Sequence, residues 1–363
     1  MKKTFITKPF LPPLDDCLPA LKDIWENKVL TNNGPYHKKF EIELAKYLEV
    51  PYISLTNNAT SGLMIALKVL DLSKEIITTP FSFIATSHVI KWIGLSPIFA
   101  DTDNLIGNLL PNSVEKKINS NTTGILAVHN YGIPGYLDEM DYLSKKYSLP
   151  IIYDAAPAMG VKLNNQTLLK YGDISVVSFH ATKVFTTFEG GAIITDSFET
   201  KKRIDRMRNF GIVNENTVSD LGINAKMNEF SAALGIIQLK YIDTIISHRK
   251  NIYELYKDGL SKNRFCNIIE IPKELDYNYA YCPIIFEKGI DARDEVYERL
   301  KKRNIFCRKY WFPLINEHNI YSSLKSGELK NSKELSQKIL FLPIYPDLDK
   351  SIISIILTIL NKE

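Results

Sequence analysis

The sequence predicts an α/β protein with a large domain built on a seven-stranded, mostly parallel sheet and a smaller C-terminal α+β domain. Three observations predict it. Seven short, β-branched runs alternate with helical stretches before residue 195. The runs around Ile125, Ile151 and Val176 are almost continuously apolar, as parallel strands covered by helices on both faces must be. After Gly235 the alternation gives way to a long helical pattern, one strand-like run and charged helices.

In chain order, helical stretches at 18–26 and 38–48 lead to strands at 52–55, 75–78, 96–100, 123–128, 150–153, 174–178 and 192–195. The connection from His180 to Gly191 is marginal for a right-handed crossover with its own helix, so the last two strands are expected to pair antiparallel at an edge. Beyond them lie a long helix at 228–262, a strand at 279–286, a charged helix at 291–303, a polar loop at 322–332 and a core-facing helix at 352–360. This last run is far shorter than the roughly 20 residues needed to cross a bilayer. The division reads as residues 1–235 for the large domain and 236–363 for the small one.

With 363 residues, 45% hydrophobic and 24% charged, the chain can bury a sizeable core, which excludes a disordered or fibrous protein. Its 45 Lys and Arg against 41 Asp and Glu form no basic block, so neither nucleic acid nor membrane is expected as a partner. Cys17, Cys266, Cys282 and Cys307 form no C-x-x-C pair, which argues for reduced thiols, a cytoplasmic location and no metal site. Met1, Lys2 and Lys3 are followed by no apolar segment of signal-peptide length, and Pro9, Pro12 and Pro13 break any early helix. No G-x-G-x-x-G follows the first strand, which argues against hydride chemistry on a dinucleotide.

Ligands of open α/β sheets sit beyond the carboxyl ends of the strands, so polar residues just after each strand carry the information. Five such sites stand out. Asn57-Asn58-Ala59-Thr60-Ser61-Gly62 opens a helix and suits either an anion or ordinary capping. Thr78-Thr79-Pro80-Phe81-Ser82-Phe83 places two aromatics in a loop, either to stack on a planar ring or to anchor the loop. Asp154 ends a buried strand, where a carboxylate needs a helix N-terminus, a metal or a cationic ring nitrogen. Lys183, in Ser178-Phe179-His180-Ala181-Thr182-Lys183, is either a solvated lysine or a nucleophile toward aldehydes. The segment 222–229 precedes the long helix and reads by itself as a plain N-cap. Together the sites meet the needs of pyridoxal 5'-phosphate: a phosphate site, an aromatic over the ring, an acid for the ring nitrogen and a Schiff-base lysine.

The stretch from Ser178 through Lys183 to Glu189-Gly190-Gly191-Ala192 closely resembles the lysine segment of the DegT/DnrJ/EryC/StrS nucleotide-sugar aminotransferases. The likeness extends to Leu30-Thr31-Asn32-Asn33-Gly34-Pro35, Asn58-Ala59-Thr60, Thr79-Pro80-Phe81-Ser82-Phe83, Val128-His129-Asn130-Tyr131-Gly132, Tyr153-Asp154-Ala155-Ala156 and Gly222-Ile223-Asn224. It is looser around Arg308-Lys309-Tyr310-Trp311-Phe312-Pro313. The resemblance implies a fold-type I homodimer with shared active sites. In it Lys183 holds the cofactor, Asp154 faces the ring nitrogen and Phe83 stacks on the ring. Ala59, Thr60 and Ser178 take the phosphate with Asn224 of the other subunit, and Thr31, Asn33, His180, Glu189 and Tyr310 contact substrate. Pro157 departs from the pattern, standing where relatives carry Gln or His, and it cannot donate a hydrogen bond.

The implied reaction takes an amino group from L-glutamate to the 4-keto group of a dTDP-4-keto-6-deoxyhexose, for a surface polysaccharide. The opening Lys8-Pro9-Phe10-Leu11-Pro12-Pro13 resembles the subgroup that makes dTDP-4-amino-4,6-dideoxyglucose. The alternatives are amination at the third sugar carbon, a UDP-linked sugar, or a non-catalytic regulator that binds the cofactor or a sugar nucleotide.

Overall fold

The computed structural model describes residues 3–324 and 327–361; Met1, Lys2 and part of the 322–332 segment lie outside them. The strands are β1 (Tyr52–Thr56), β2 (Glu75–Thr78), β3 (Ser96–Phe99), β4 (Thr122–Val128), β5 (Ile151–Asp154), β6 (Ile174–Ser178) and β7 (Gly191–Thr195). They form one sheet in the order β1-β7-β6-β5-β4-β2-β3. The pairs from β6 to β3 are parallel, and β4, β5 and β6 are buried along most of their lengths, which is why their sequences read as unbroken apolar runs.

β6 and β7 are antiparallel, as their short connection requires, but they do not form the edge. β1 lies outside β7, also antiparallel, with Tyr52 opposite Thr195 and Thr56 opposite Gly191. A side-chain clamp makes this outermost position tenable. Helix α1 (Leu14–Asn27) is followed by α2 (Pro35–Leu48), whose Glu41 accepts the Leu55 N–H at 3.1 Å, while Arg208 donates to the Leu55 carbonyl at 2.7 Å. Glu41 and Arg208 pair at 2.7 Å, with His37 Nε2 3.2 Å from the same carboxylate and Lys201 3.4 Å from its other oxygen. The outward backbone groups of an edge strand are thus used before another chain can reach them.

The helical run at 228–262 is two helices, Glu229–Leu239 and Ile242–Leu260, bent by 63°. The first tightens at its end, with Lys240 N–H bonding Ile237 O and Tyr241 N–H bonding Gln238 O. The bend lets one stretch of chain serve two cores. Ala232, Ile236, Ile242 and Ile245 pack beneath the large sheet, whereas Ile252, Tyr253, Tyr256 and Leu260 pack against a smaller one. That sheet is antiparallel and consists of β8 (Cys266–Ile268), β9 (Pro283–Phe286) and β10 (Ile339–Phe341). Tyr279 has φ 52°, outside the β region, and the strand-like run at 279–286 begins only at Pro283, leaving Pro283–Phe286. Helices Ile290–Lys302 and Lys350–Leu360 cover the small sheet, the latter through Ile353, Ile356 and Leu360. The N-terminal segment also reaches this region, where Thr4 bridges to Ile305. Among the described residues no single helix is long and apolar enough to cross a membrane.

Burial would raise Glu41, but the hydrogen bond with His37 and the charges of Arg208 and Lys201 outweigh it and hold the carboxyl well below its ordinary range. A depressed carboxyl stabilises the fold above its unfolded-state pKa of about 4.3, and that contribution is lost as pH falls through the lower folded-state value. Thermal unfolding followed from pH 7 to pH 3 is expected to show Glu41→Gln less stable by about 2 kcal/mol at pH 7. The variant should also depend less on pH below about 4 than the parent protein.

Candidate active site

Beyond the carboxyl ends of β1, β5 and β6 lies a cavity of about 350 Å³, within the range of small-molecule sites. Its lining includes Ala59, Thr60, Phe83, Asp154, Ser178, His180, Lys183, Glu189 and Tyr310. Helix α3 (Ala59–Val69) points its N-terminus into this space. Asn58 caps it by accepting the Ser61 N–H at 2.8 Å, and Asn58, Ala59 and Thr60 all line the cavity. Two glycines let this helix end sit close to the sheet. A Cβ at Gly191 would lie 2.7 Å from the Ala59 nitrogen, and one at Gly62 would lie 3.0 Å from Val176.

Asp154 is 6% exposed at the end of β5. Thr86, on helix α4 (Ala85–Trp92), donates to its Oδ2 at 2.7 Å, and the Ala156 N–H donates to Oδ1 at 3.2 Å. Thr86 is in turn 2.8 Å from Ser82. Asp154 makes no ion pair among the described residues, and burial pushes its carboxyl above the ordinary range against those two hydrogen bonds and the Lys183 charge. Lys183 is half-buried on the connection from β6 to β7 and makes no side-chain hydrogen bond among the described residues. Behind β5, the ring of His129 stacks on Tyr153 at 4.1 Å, fully buried with both nitrogens unpartnered, and burial pushes it down to about 3.

The walls are set by longer-range contacts. Asp103 accepts the N–H groups of Leu105, Ile106, Gly107 and Asn108, and the ordered loop receives Asn130, whose N–H donates to Asn108 Oδ1 at 3.1 Å. Asn130 and Tyr131 thereby reach the lining, where Tyr281, Tyr310 and Trp311 join them from the C-terminal third. Phe83, 58% exposed, leans on Trp311 with ring centroids 5.8 Å apart. At the rim, His180 Nε2 is 3.5 Å from Glu189 and His180 Nδ1 is 2.8 Å from Thr182 Oγ1. Pro157 also lines the cavity, and its carbonyl accepts from Asn278 at 2.7 Å.

Three expected site residues do not line this cavity: Thr31, Asn33 and Asn224. Conversely, Thr86 and Tyr281 belong to the site although the sequence did not single them out, and Trp311 joins them from the loosely matching segment 308–313. The spacing of Ser82 and Thr86, one helical turn apart beside an aromatic loop, is the one available signal for Thr86. The donor set is suited to pyridoxal 5'-phosphate. A buried carboxylate that makes no ion pair among the described residues shares one cavity with a lysine, a helix N-terminus and an aromatic ring.

Comparison with known proteins agrees with this chemistry. The model of the DegT/DnrJ/EryC1/StrS aminotransferase family matches residues 15–361. A dTDP-4-amino-4,6-dideoxy-D-glucose transaminase of Shigella dysenteriae is 41% identical over 99% of both chains. One of the same description from Escherichia coli is 43% identical over 96% of this chain and 95% of its own. Among solved structures, DesI in the presence of its TDP-sugar product superposes with a TM-score of 0.94 at 28% identity, covering 99% of this chain and 93% of its own.

Because Asp154 is raised, its charge costs the bare protein stability as pH rises from the unfolded-state value of about 3.9 through the higher folded-state one. In protein stripped of small molecules, Asp154→Asn should raise the melting temperature at pH 8, and the two proteins should converge toward about pH 4. The Thr86–Ser82 hydroxyl pair can reverse to accept the new amide.

Proposed function

The chain belongs to the DegT/DnrJ/EryC1/StrS aminotransferase family, and from that premise we propose that it transfers an amino group from L-glutamate to the 4-keto group of a dTDP-4-keto-6-deoxyhexose. The product of this proposal is dTDP-4-amino-4,6-dideoxyglucose, destined for a surface polysaccharide and made in the cytoplasm. That the chain is a PLP-dependent nucleotide-sugar aminotransferase follows from the family and its structural neighbours. The choice of sugar draws its support from the two transaminases at 41% and 43% identity. The observation that carries the reading is the meeting of Lys183, Asp154 and the N-terminus of α3 on one cavity.

Bound pyridoxal 5'-phosphate would supply an electron sink for the charge left when the amino donor's α-carbon loses its proton. In our reading Lys183 Nζ would hold the cofactor, and its amine would be the base that takes the proton from the amino donor's α-carbon. Asp154 keeps a proton on the ring nitrogen, and its burial makes that pairing strong. Thr86 and the Ala156 N–H hold the carboxylate in place. The N–H groups of Ala59 and Thr60, with the Ser178 hydroxyl, serve the phosphate. Phe83 covers one face of the ring, and His180, Glu189 and Tyr310 meet the substrate at the rim. Residues 1–235 would act as the cofactor-binding body, with 236–363 bringing Tyr281 and Tyr310 to its mouth.

We place Asn224 in the site of a second copy of the chain, with Thr31 and Asn33 beside it. Two features support this arrangement. None of the three lines the cavity of its own chain, and an apolar groove near the rim is walled by Leu11, Leu14, Phe188 and Phe230, the last two stacked at 5.7 Å.

Three experiments test these readings. Glutamate alone should bleach the cofactor band of the holoprotein, and dTDP-4-keto-6-deoxyglucose should restore it with a 4-amino product identified by NMR. A response to a UDP-linked or 3-keto sugar instead would reassign the acceptor, and a spectrum that glutamate leaves unmoved would favour a non-catalytic binder. Lys183→Ala should lose the borohydride-fixed adduct and lower turnover by about 10³-fold or more. Mixing inactive Lys183→Ala with inactive Asn224→Lys chains should regenerate activity, since one hybrid site would then hold both native residues; contact within a single chain would leave the mixture inactive.

A further inference from the structure

Residues 30–34 have no internal support. Asn32 and Asn33 both have φ near 60°, and no side chain from Thr31 to Asn33 makes a hydrogen bond among the described residues. Such a loop holds one shape only if its ends are fixed from outside. Both ends are held by one residue. The Glu229 N–H donates to the Leu30 carbonyl at 3.0 Å. Its carboxylate accepts the Tyr36 N–H at 2.8 Å on Oε2 and the His37 N–H at 2.9 Å on Oε1, taking two free donors of the first turn of α2. Glu229 is 1% exposed.

The fit also explains Gly34. Its φ of −70° would admit any residue, yet a Cβ there would fall 2.6 Å from the Glu229 carboxyl carbon. Glycine is required for the space the carboxylate occupies rather than for backbone freedom. On its other side Glu229 continues directly from the segment that carries Asn224. That segment is fastened by the Ala225 carbonyl to Asn57 N–H at 2.8 Å, and the Met227 carbonyl lies 3.4 Å from His37 Nδ1.

We propose that Glu229 is a positioning residue for the acceptor: it locks the Thr31–Asn33 loop to the Asn224 segment so that the two enter a site as one rigid unit. This rests on the reading that a keto-sugar nucleotide is the acceptor and that Thr31 and Asn33 meet it. A carboxylate is needed because both of its oxygens must accept; an amide would turn a donor toward one of the two N–H groups.

The test uses the holoenzyme with Glu229→Gln and, separately, Gly34→Ala. Each is expected to raise the KM for the keto-sugar nucleotide about ten-fold or more, as loss of one charge-assisted hydrogen bond would, while the rate of bleaching by glutamate stays within about two-fold. In a Thr31→Ala/Asn33→Ala background, Glu229→Gln should add little further, because its effect runs through that loop. An unchanged acceptor KM in folded variants, a parallel fall in the glutamate step, or full additivity in that background would overturn the proposal. Failure of the parent enzyme to respond to glutamate would instead overturn the functional reading beneath it.

Discussion

The site depends on a carboxylate held where water cannot compensate it. Asp154 ends a central strand, takes one hydroxyl and one backbone N–H, and makes no ion pair among the described residues. A buried charge in that condition is a standing cost, of the kind that a cationic ligand group would offset. The geometry around Asp154 follows from that need: α4 delivers Thr86, the β6–β7 connection delivers Lys183, and α3 turns its N-terminus toward the same space.

Carboxylates recur here as acceptors for backbone N–H groups that no strand or helix satisfies. Glu41 receives the outward N–H of Leu55, Asp103 gathers four successive N–H groups, Asp101 receives those of Asn331 and Ser332 at the start of helix Lys330–Lys338, and Glu229 takes two at the head of α2. In each case an acid distant in sequence or at the far side of a loop fixes backbone that would otherwise be free. The chain thereby adds polar anchors to the aromatic packing that walls the cavity.

What the sequence discloses and what it hides follow from range. The seven strands are legible because burial on both faces leaves an unbroken apolar signature, and Asp154 and Lys183 because each interrupts such a run at its carboxyl end. The place of β1 outside β7 is not legible, since it is settled by Glu41 and Arg208, which lie 167 positions apart. The bend near Lys240 leaves no glycine or proline behind, and it arises because the residues on its two sides face different cores. Tyr281 and Trp311 read as ordinary aromatics until the small sheet brings them to the cavity wall. Glu229 looks like one more acid in the first turn of a helix, because its partners, Tyr36 and His37, lie more than 190 residues upstream.

The pairing of β1 with β7 carries a consequence for biosynthesis. Among the described residues, the earliest strand to leave the ribosome pairs only with the last strand of the sheet, Tyr52 opposite Thr195. Until that partner emerges, β1 has no strand to pair with in this sheet, and contacts of such long sequence separation form slowly. Closure of the sheet therefore waits until Gly191–Thr195 has been made, long after Tyr52–Thr56.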